Sequence, residues 1–183
     1  KSTGGSVKLN GEEILQLHPD ELREKGIGII PEDRYKQGLC LSLPVSTNLI
    51  TGYHKQKRFC KAGMMNFREI RKNKEELVKK YDIRLSGTDP VVSALSGGNG
   101  QKVIVAREFS NDPEVLLASQ PTRGIDVGAT EFIHQNILKM RDEGKAVFLI
   151  SSELTEIKSL ADRIIVIYDG EIVGEFLEEE VSF

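Results

Sequence analysis

The 183-residue chain carries 25 lysines and arginines against 28 aspartates and glutamates, and 39% of its residues are hydrophobic. That length supports one domain with a packed core, and a formal net charge of -3 gives no electrostatic pull toward nucleic acid or an anionic membrane surface. The longest apolar runs, such as Val147-Phe148-Leu149-Ile150, are strand-sized and far short of the ~20 residues a bilayer span needs.

From the amino end, Ser6 to Leu9 alternates and meets Asn10-Gly11, a strong hairpin turn signal. His18-Pro19-Asp20-Glu21-Leu22 predicts a helix start with proline in the first turn, and Gly26 its stop. Ile27 to Ile30 predicts a short buried strand, and the polar stretch Pro31 to Leu39 a surface loop. Asn66 to Tyr81 is helical and highly charged, with Leu77 and Val78 among lysines and glutamates that suit a solvated face. Ser86-Gly87-Thr88-Asp89-Pro90 is a loop, and a further helix starts at Gly98, carrying Val103, Ile104, Ala106 and Phe109.

Three apolar strands follow: Val115 to Ala118, Ala146 to Ile150, and Arg163 to Tyr168. Helical patterns at Gly128 to Arg141 and Glu153 to Ala161 separate them, and this alternation predicts a parallel sheet with helices on its faces. Asp169-Gly170 turns into a last strand, Glu171 to Phe176, and the acidic tail Glu178-Glu179-Glu180 is expected to fray. The two cysteines, Cys40 and Cys60, are far apart with no histidine cluster, which favours buried or incidental thiols in a reducing cytoplasm over a disulfide or metal role. No signal peptide is legible, and Lys1-Ser2-Thr3-Gly4-Gly5 has the character of mid-domain sequence.

The chemistry is concentrated in Leu95-Ser96-Gly97-Gly98-Asn99, just before a helix. Paired glycines let backbone N–H groups approach a ligand, the helix start adds positive potential, and the Ser96 hydroxyl can donate to an anionic oxygen. A Ser/Gly helix cap without a ligand is the plain alternative. The order of motifs downstream adds to this: Gln101-Lys102-Val103, then Ala106-Arg107-Glu108, a buried strand, Pro121-Thr122-Arg123-Gly124-Ile125-Asp126, Ser151-Ser152-Glu153-Leu154, and Ala161-Asp162-Arg163-Ile164-Ile165-Val166.

This series resembles an ABC ATPase nucleotide-binding domain, and most of all the second such domain of the simple-sugar and nucleoside importer family. Ile30-Pro31-Glu32-Asp33-Arg34 with Gly38-Leu39, and Pro121 through Ala129, carry the finer resemblance. It implies an α/β, P-loop NTPase-like fold, a partial domain over residues 1–183 with a partly parallel sheet and a helical subdomain roughly at 45–110. It also implies ATP and Mg²⁺ as cofactors of the complete subunit. The implied partners are a first nucleotide-binding domain, transmembrane permease subunits and, indirectly, a substrate-binding lipoprotein, at the cytoplasmic face of the membrane.

Departures from the family pattern are as informative. No G-x-x-x-x-G-K-[ST] phosphate loop occurs in the chain. Where the resemblance places an Asp-Glu pair, for Mg²⁺ and for polarising water, this chain has Ser119-Gln120. Ser152 stands where a histidine is usual, and Glu32 where a glutamine senses the terminal phosphate. Gly100 replaces a glutamine and removes a helix-favouring side chain from the first turn. Together these imply a degenerate hydrolytic site at Ser119, Gln120 and Ser152. Ser96, Gly97, Gly98 and Asn99 would then serve a partner domain's ATP. Asp126 is either a coupling residue at the domain interface or a simple helix cap. The expected function is the ATP-binding component of a sugar or nucleoside importer, inactive as this chain alone. The alternatives are a soluble non-transporter ABC ATPase or a non-catalytic regulatory module.

Overall fold

A computed structural model describes residues 4–177, so Lys1-Ser2-Thr3 and the acidic tail lie outside the described residues. Chain order begins with a small antiparallel hairpin, β1 (Lys8–Leu9) and β2 (Glu12–Glu13), turned at Asn10 and Gly11, both with positive φ. Helix α1 (Pro19–Glu24) follows; the Glu21 carboxylate accepts from the His18 backbone N–H at 2.7 Å, and Gly26 closes the helix at φ +84°. Both elements are where the sequence predicts them, the first strand shorter than expected.

Strand β3 (Ile27–Ile30) pairs in parallel with β6 (Val115–Ser119), which pairs in parallel with β7 (Ala146–Ile150). One face of this sheet is covered by α4 (Gly97–Phe109) and α5 (Val127–Asp142), so Leu116, Ala118, Val103, Ile104 and Ile133 are all but inaccessible. Beyond β7 come α6 (Leu154–Leu160) and a hairpin of β8 (Arg163–Tyr168) with β9 (Glu171–Leu177). Here the sequence expectation needs correcting: β8 does not join the parallel sheet but pairs only with β9 among the described residues. The outer edge of β7 is open there, and Phe148 and Ile150 on its uncovered face are 58% and 51% exposed. Both faces of β7 are apolar, the composition of an inner strand.

The segment between β3 and β6 builds a helical lobe. It contains α2 (Val45–Asn48), a hairpin of β4 (Cys60–Lys61) and β5 (Met64–Met65), and α3 (Phe67–Lys80), with α4 passing beneath it. Side-chain caps define the long helices: Asn66 for α3, Ser96 for α4 and Asp126 for α5. The predicted Pro31–Leu39 loop is not wholly irregular. Asp33 accepts from the Tyr35 and Lys36 amides, winding Arg34–Gly38 into one wide helical turn. The charged face of α3 also needs a correction, because Lys74 is buried, its stem packed inside and its ammonium donating to the Thr88 carbonyl at 2.8 Å. Gly100 leaves α4 continuous and packs its Cα close to Leu39, whose Cδ1 would lie 3.3 Å from an added Cβ. Cys40 is exposed and Cys60 half-buried, both free thiols, so of the two readings for them the incidental one holds.

Sheet, α1 and helical lobe are joined by one buried polar knot. Glu108, with no exposed surface, accepts from the Tyr53 hydroxyl (2.7 Å), the Ile29 amide (3.3 Å) and the Arg107 guanidinium (2.8 Å), and Arg23 lies 3.5 Å away. Arg107 also donates to the Gly38 carbonyl at 2.9 Å. Burial, then the Glu108 carboxylate, push the Tyr53 phenol far up, and burial pushes Tyr81 up to about 12. Both phenols stay neutral in the fold but ionise near their ordinary value of about 10 once unfolded. Their stabilisation is therefore complete below pH of about 10 and is lost as pH climbs through the folded values. An alkaline titration followed by phenolate absorbance should show these two tyrosines ionising only with unfolding near pH 12; reversible ionisation of all four tyrosines below pH of about 11, with circular dichroism unchanged, would contradict it.

Candidate functional site

The turn Ser96–Asn99 heads α4 as the sequence predicts. Ser96 is extended at φ -65°, ψ 158°, and its Oγ accepts from the Asn99 backbone N–H (3.4 Å) and from Asn99 Nδ2 (3.0 Å). With those two bonds accepted, the Ser96 hydroxyl proton is left to give outward. The Gly97 and Gly98 amides are among the orphan donors of the helix start. Asn99 is held in turn, because its Oδ1 accepts from the Arg84 amide at 2.8 Å. A hydroxyl, two unpaired amides and the positive end of a 13-residue helix suit an anionic oxygen.

Behind this turn lies the segment that leaves β6. A Cβ on Gly98 would stand 2.8 Å from Asp126 Oδ2 and 3.4 Å from the Ala129 methyl. Asp126 Oδ1 accepts from the Ala129 amide at 3.0 Å, so the helix-cap reading of Asp126 is realised, and the same carboxylate touches Gly98 of the signature turn, Ser96–Asn99. Buried Gln101 donates to the Pro121 carbonyl at 2.7 Å, a second tie between α4 and this segment.

The structure also brings two of the strand-end residues, Gln120 and Ser152, together. Ser119 ends β6, and Gln120 follows at φ +47° with its amide donating to the Ile150 carbonyl at 2.7 Å. Ser152 donates from its hydroxyl (3.2 Å) and its amide (3.4 Å) to Gln120 Oε1. This is a neutral pair: neither side chain is a carboxylate or an imidazole, and neither can take a proton from water at neutral pH. Glu32 does not join them. It forms an ion pair at 2.7 Å with Arg123, both side chains more than half exposed. Among the described residues no cluster of three or more His, Cys, Asp or Glu is placed to hold a metal ion. Hydrated Mg²⁺ prefers carboxylate oxygens, so the donor set at Ser119 and Gln120 does not fit it.

Sequence reasoning missed several residues at this site. Arg34 donates to the Arg123 carbonyl (2.7 Å) and the Gly124 carbonyl (3.0 Å), bridging the turn after β3 to the turn after β6. Glu156 on α6, only 3% exposed, accepts from the Thr122 hydroxyl at 2.7 Å and sits 3.0 Å from His134 Nε2. No local signal betrays either: the partners are 22 to 90 residues apart along the chain.

Comparison with known proteins identifies the family and the fold. Residues 1–123 match the sequence family described as ABC transporter. The guanosine import ATP-binding protein NupO of Bacillus subtilis is 42% identical over 182 residues, covering 100% of this chain and 36% of that protein. The glucose import ATP-binding protein TsgD13 of Haloferax volcanii is 40% identical over 182 residues, 98% of this chain and 33% of that protein. A solved dimeric ATP-binding cassette in a post-hydrolysis state, bound to ADP and phosphate, superposes with a TM-score of 0.75 at 29% identity, covering 96% of this chain and 74% of that one. The fold is therefore that of an ATP-binding cassette, α/β with a parallel core sheet and a helical lobe. The chain belongs to the ABC transporter family. It spans about a third of the length of the curated relatives it matches.

Proposed function

We propose that this chain is part of the second nucleotide-binding domain in the ATP-binding component of an ABC importer for nucleosides or sugars, and that its signature turn completes an ATP site whose phosphate loop belongs to the first domain. The observation that carries this is a contrast within one structure. Ser96, Gly97, Gly98 and Asn99 keep a donor-rich helix start, while Gln120 and Ser152 form a neutral hydrogen-bonded pair beside the neutral Ser119 that ends β6. The import proteins named above support the solute class, and the dimeric cassette supports the pairing of domains.

In this reading the Ser96 hydroxyl and the Gly97 and Gly98 amides bind and orient a terminal phosphate held by the partner, and they exclude water from its far side. Mg²⁺ would supply charge neutralisation at that phosphate, and nothing on this chain's own strand ends is assigned to hold it. Asp126 sets the signature turn against the segment that follows Gln120, and Glu32 lies at the same junction in an exposed ion pair with Arg123. The helical lobe faces the permease subunits, with a substrate-binding lipoprotein engaging them from the other side. The chain sits peripherally at the cytoplasmic face of the membrane; no described helix is long and apolar enough to cross it.

Ser96→Arg in the complete subunit tests the reading, because the long cation fills the space of the outward hydroxyl. A hydrogen bond to a charged group contributes about 1.5–3 kcal/mol, so ATPase activity should fall at least about tenfold. Wild-type activity in that variant would reject the shared site. ATP turnover above background by the chain alone would reject the degenerate assignment of Gln120 and Ser152.

A further inference from the structure

Two glycines from different parts of the chain leave room for the same nitrogen. A Cβ at Gly97, in the signature turn, would lie 3.4 Å from Arg34 Nη2, and a Cβ at Gly124, after β6, would lie 3.3 Å from it. The guanidinium is therefore seated between the two turns. It faces the second turn as a fork, with Nη1 on the Arg123 carbonyl at 2.7 Å and Nη2 on the Gly124 carbonyl at 3.0 Å. Its Cζ lies 5.1 Å from the centre of the Tyr35 ring, whose hydroxyl would lie 3.5 Å from a Cβ at Gly97. Arg34 itself is oriented by the turn that Asp33 caps.

The acceptors matter as much as the distances. Both are neutral carbonyls, and among the described residues no carboxylate forms an ion pair with Arg34. The charge is positioned but not neutralised, beside Gly97. A planar fork can meet two carbonyls at once, which a lysine ammonium on a single stem matches poorly.

We propose that Arg34 is the positioning residue of the signature turn: it holds Gly97 against Gly124 and leaves an un-neutralised cation behind the amides that would meet a phosphate. This rests on the assignment of Ser96–Asn99 to a shared ATP site. It adds that Arg34 ties the loop leaving β3 to the β6 turn beside Gly97, alongside the Gln101 and Asp126 contacts that join that turn to α4. The neighbouring Glu32–Arg123 pair has no such role, being an exposed ion pair of the kind that contributes little.

The test uses the complete ATP-binding subunit assembled with its permease, with KM for ATP, kcat and melting temperature read for each variant. Arg34→Ala should raise KM for ATP about tenfold as the two-bond fork beside the signature turn is lost, with little change in melting temperature because the side chain is only half-buried. Arg34→Lys, which keeps the charge and loses the fork, should lie between, about threefold above wild type. Arg123→Ala removes the exposed ion pair but keeps the carbonyl acceptor, so its KM should stay within about twofold. Unchanged KM and kcat in Arg34→Ala, alongside a Ser96→Arg variant that has lost turnover, would overturn the role of Arg34 and leave the shared site standing. An equal rise in Arg123→Ala would overturn it too, since loop charge alone would then explain both. Full activity in Ser96→Arg would instead remove the site on which the proposal rests. If Arg34→Ala fails to fold, the Arg34→Lys and Arg123→Ala pair decides by the same criteria.

Discussion

Replacing Glu108 by alanine should destabilise the fold by about 3–5 kcal/mol, the range found when one partner of a buried ion pair is removed. The carboxylate is fully buried, and its loss would strand three donors at once: the Arg107 guanidinium, the Tyr53 hydroxyl and the Ile29 amide. Arg107 is only 3% exposed and has just the Gly38 and Asn48 carbonyls to fall back on, so an uncompensated charge would remain inside. For a chain of this length each kcal/mol corresponds to roughly 2–4 °C, so the melting temperature should drop by about 6–20 °C. Glu108→Gln keeps an acceptor for Tyr53 and should cost clearly less. Urea unfolding of the three proteins checks this. A loss below about 1 kcal/mol for the alanine variant would mean that the knot is not a unit and that water reaches Arg107. The direction of unfolding is also set: Tyr53 sits on the lobe side of the knot and Ile29 on the sheet side, so Glu108→Ala should loosen the lobe from the sheet first. Hydrogen exchange at the Ile29 amide, which spends its hydrogen bond on this carboxylate, would report that opening.

The helices were legible because their signals are local. Asn66, Ser96 and Asp126 each precede an apolar-periodic stretch, and each accepts from the amide three residues on. The strands β3, β6 and β7 were legible as short apolar runs between turn residues. Other features were not, for physical reasons. The β4–β5 hairpin turns at Ala62 and Gly63, both at positive φ, and alanine gives no warning of a left-handed turn. Lys74 looks like its solvated neighbours on α3, and only the tertiary position of the Thr88 carbonyl makes its burial tolerable. The expectation that β8 extends the parallel sheet followed from alternation alone, which fixes element type but not which edge pairs with which. At the site, composition showed that Ser119, Gln120 and Ser152 lack ionisable groups. It could not show that Ser152 donates to Gln120, nor that Arg34 reaches across 89 residues to the Arg123 carbonyl.

Gly98→Val should be the most damaging single change at the signature. The first methine carbon alone would stand 2.8 Å from Asp126 Oδ2, closer than side-chain carbons approach oxygen, and 3.4 Å from the Ala129 methyl, before the two further methyls are placed. Either of two shifts can relieve the clash. If Asp126 swings aside, α5 loses the cap that holds the Ala129 amide, a cost of about 0.5–2 kcal/mol. If the first turn of α4 yields instead, Ser96 and the Gly97 amide move with it, and a displacement near 1 Å in a positioned site can cost roughly a hundredfold in rate. Gly97→Ala should be milder at the level of packing, because its nearest atoms stand 3.4–3.5 Å away, one of them at the end of the flexible Arg34 side chain. Gly87→Ala, with nothing within 4 Å, should leave stability and activity near wild type. The two routes separate in a double variant. Removing the carboxylate in Gly98→Val/Asp126→Ala makes the space the valine needs, so its loss of ATPase activity in the complete subunit should be smaller than the two single losses combined. Losses that add in full would show that the valine acts on the helix start itself, independently of Asp126, and the contact between the signature turn and the α5 cap would then carry no coupling.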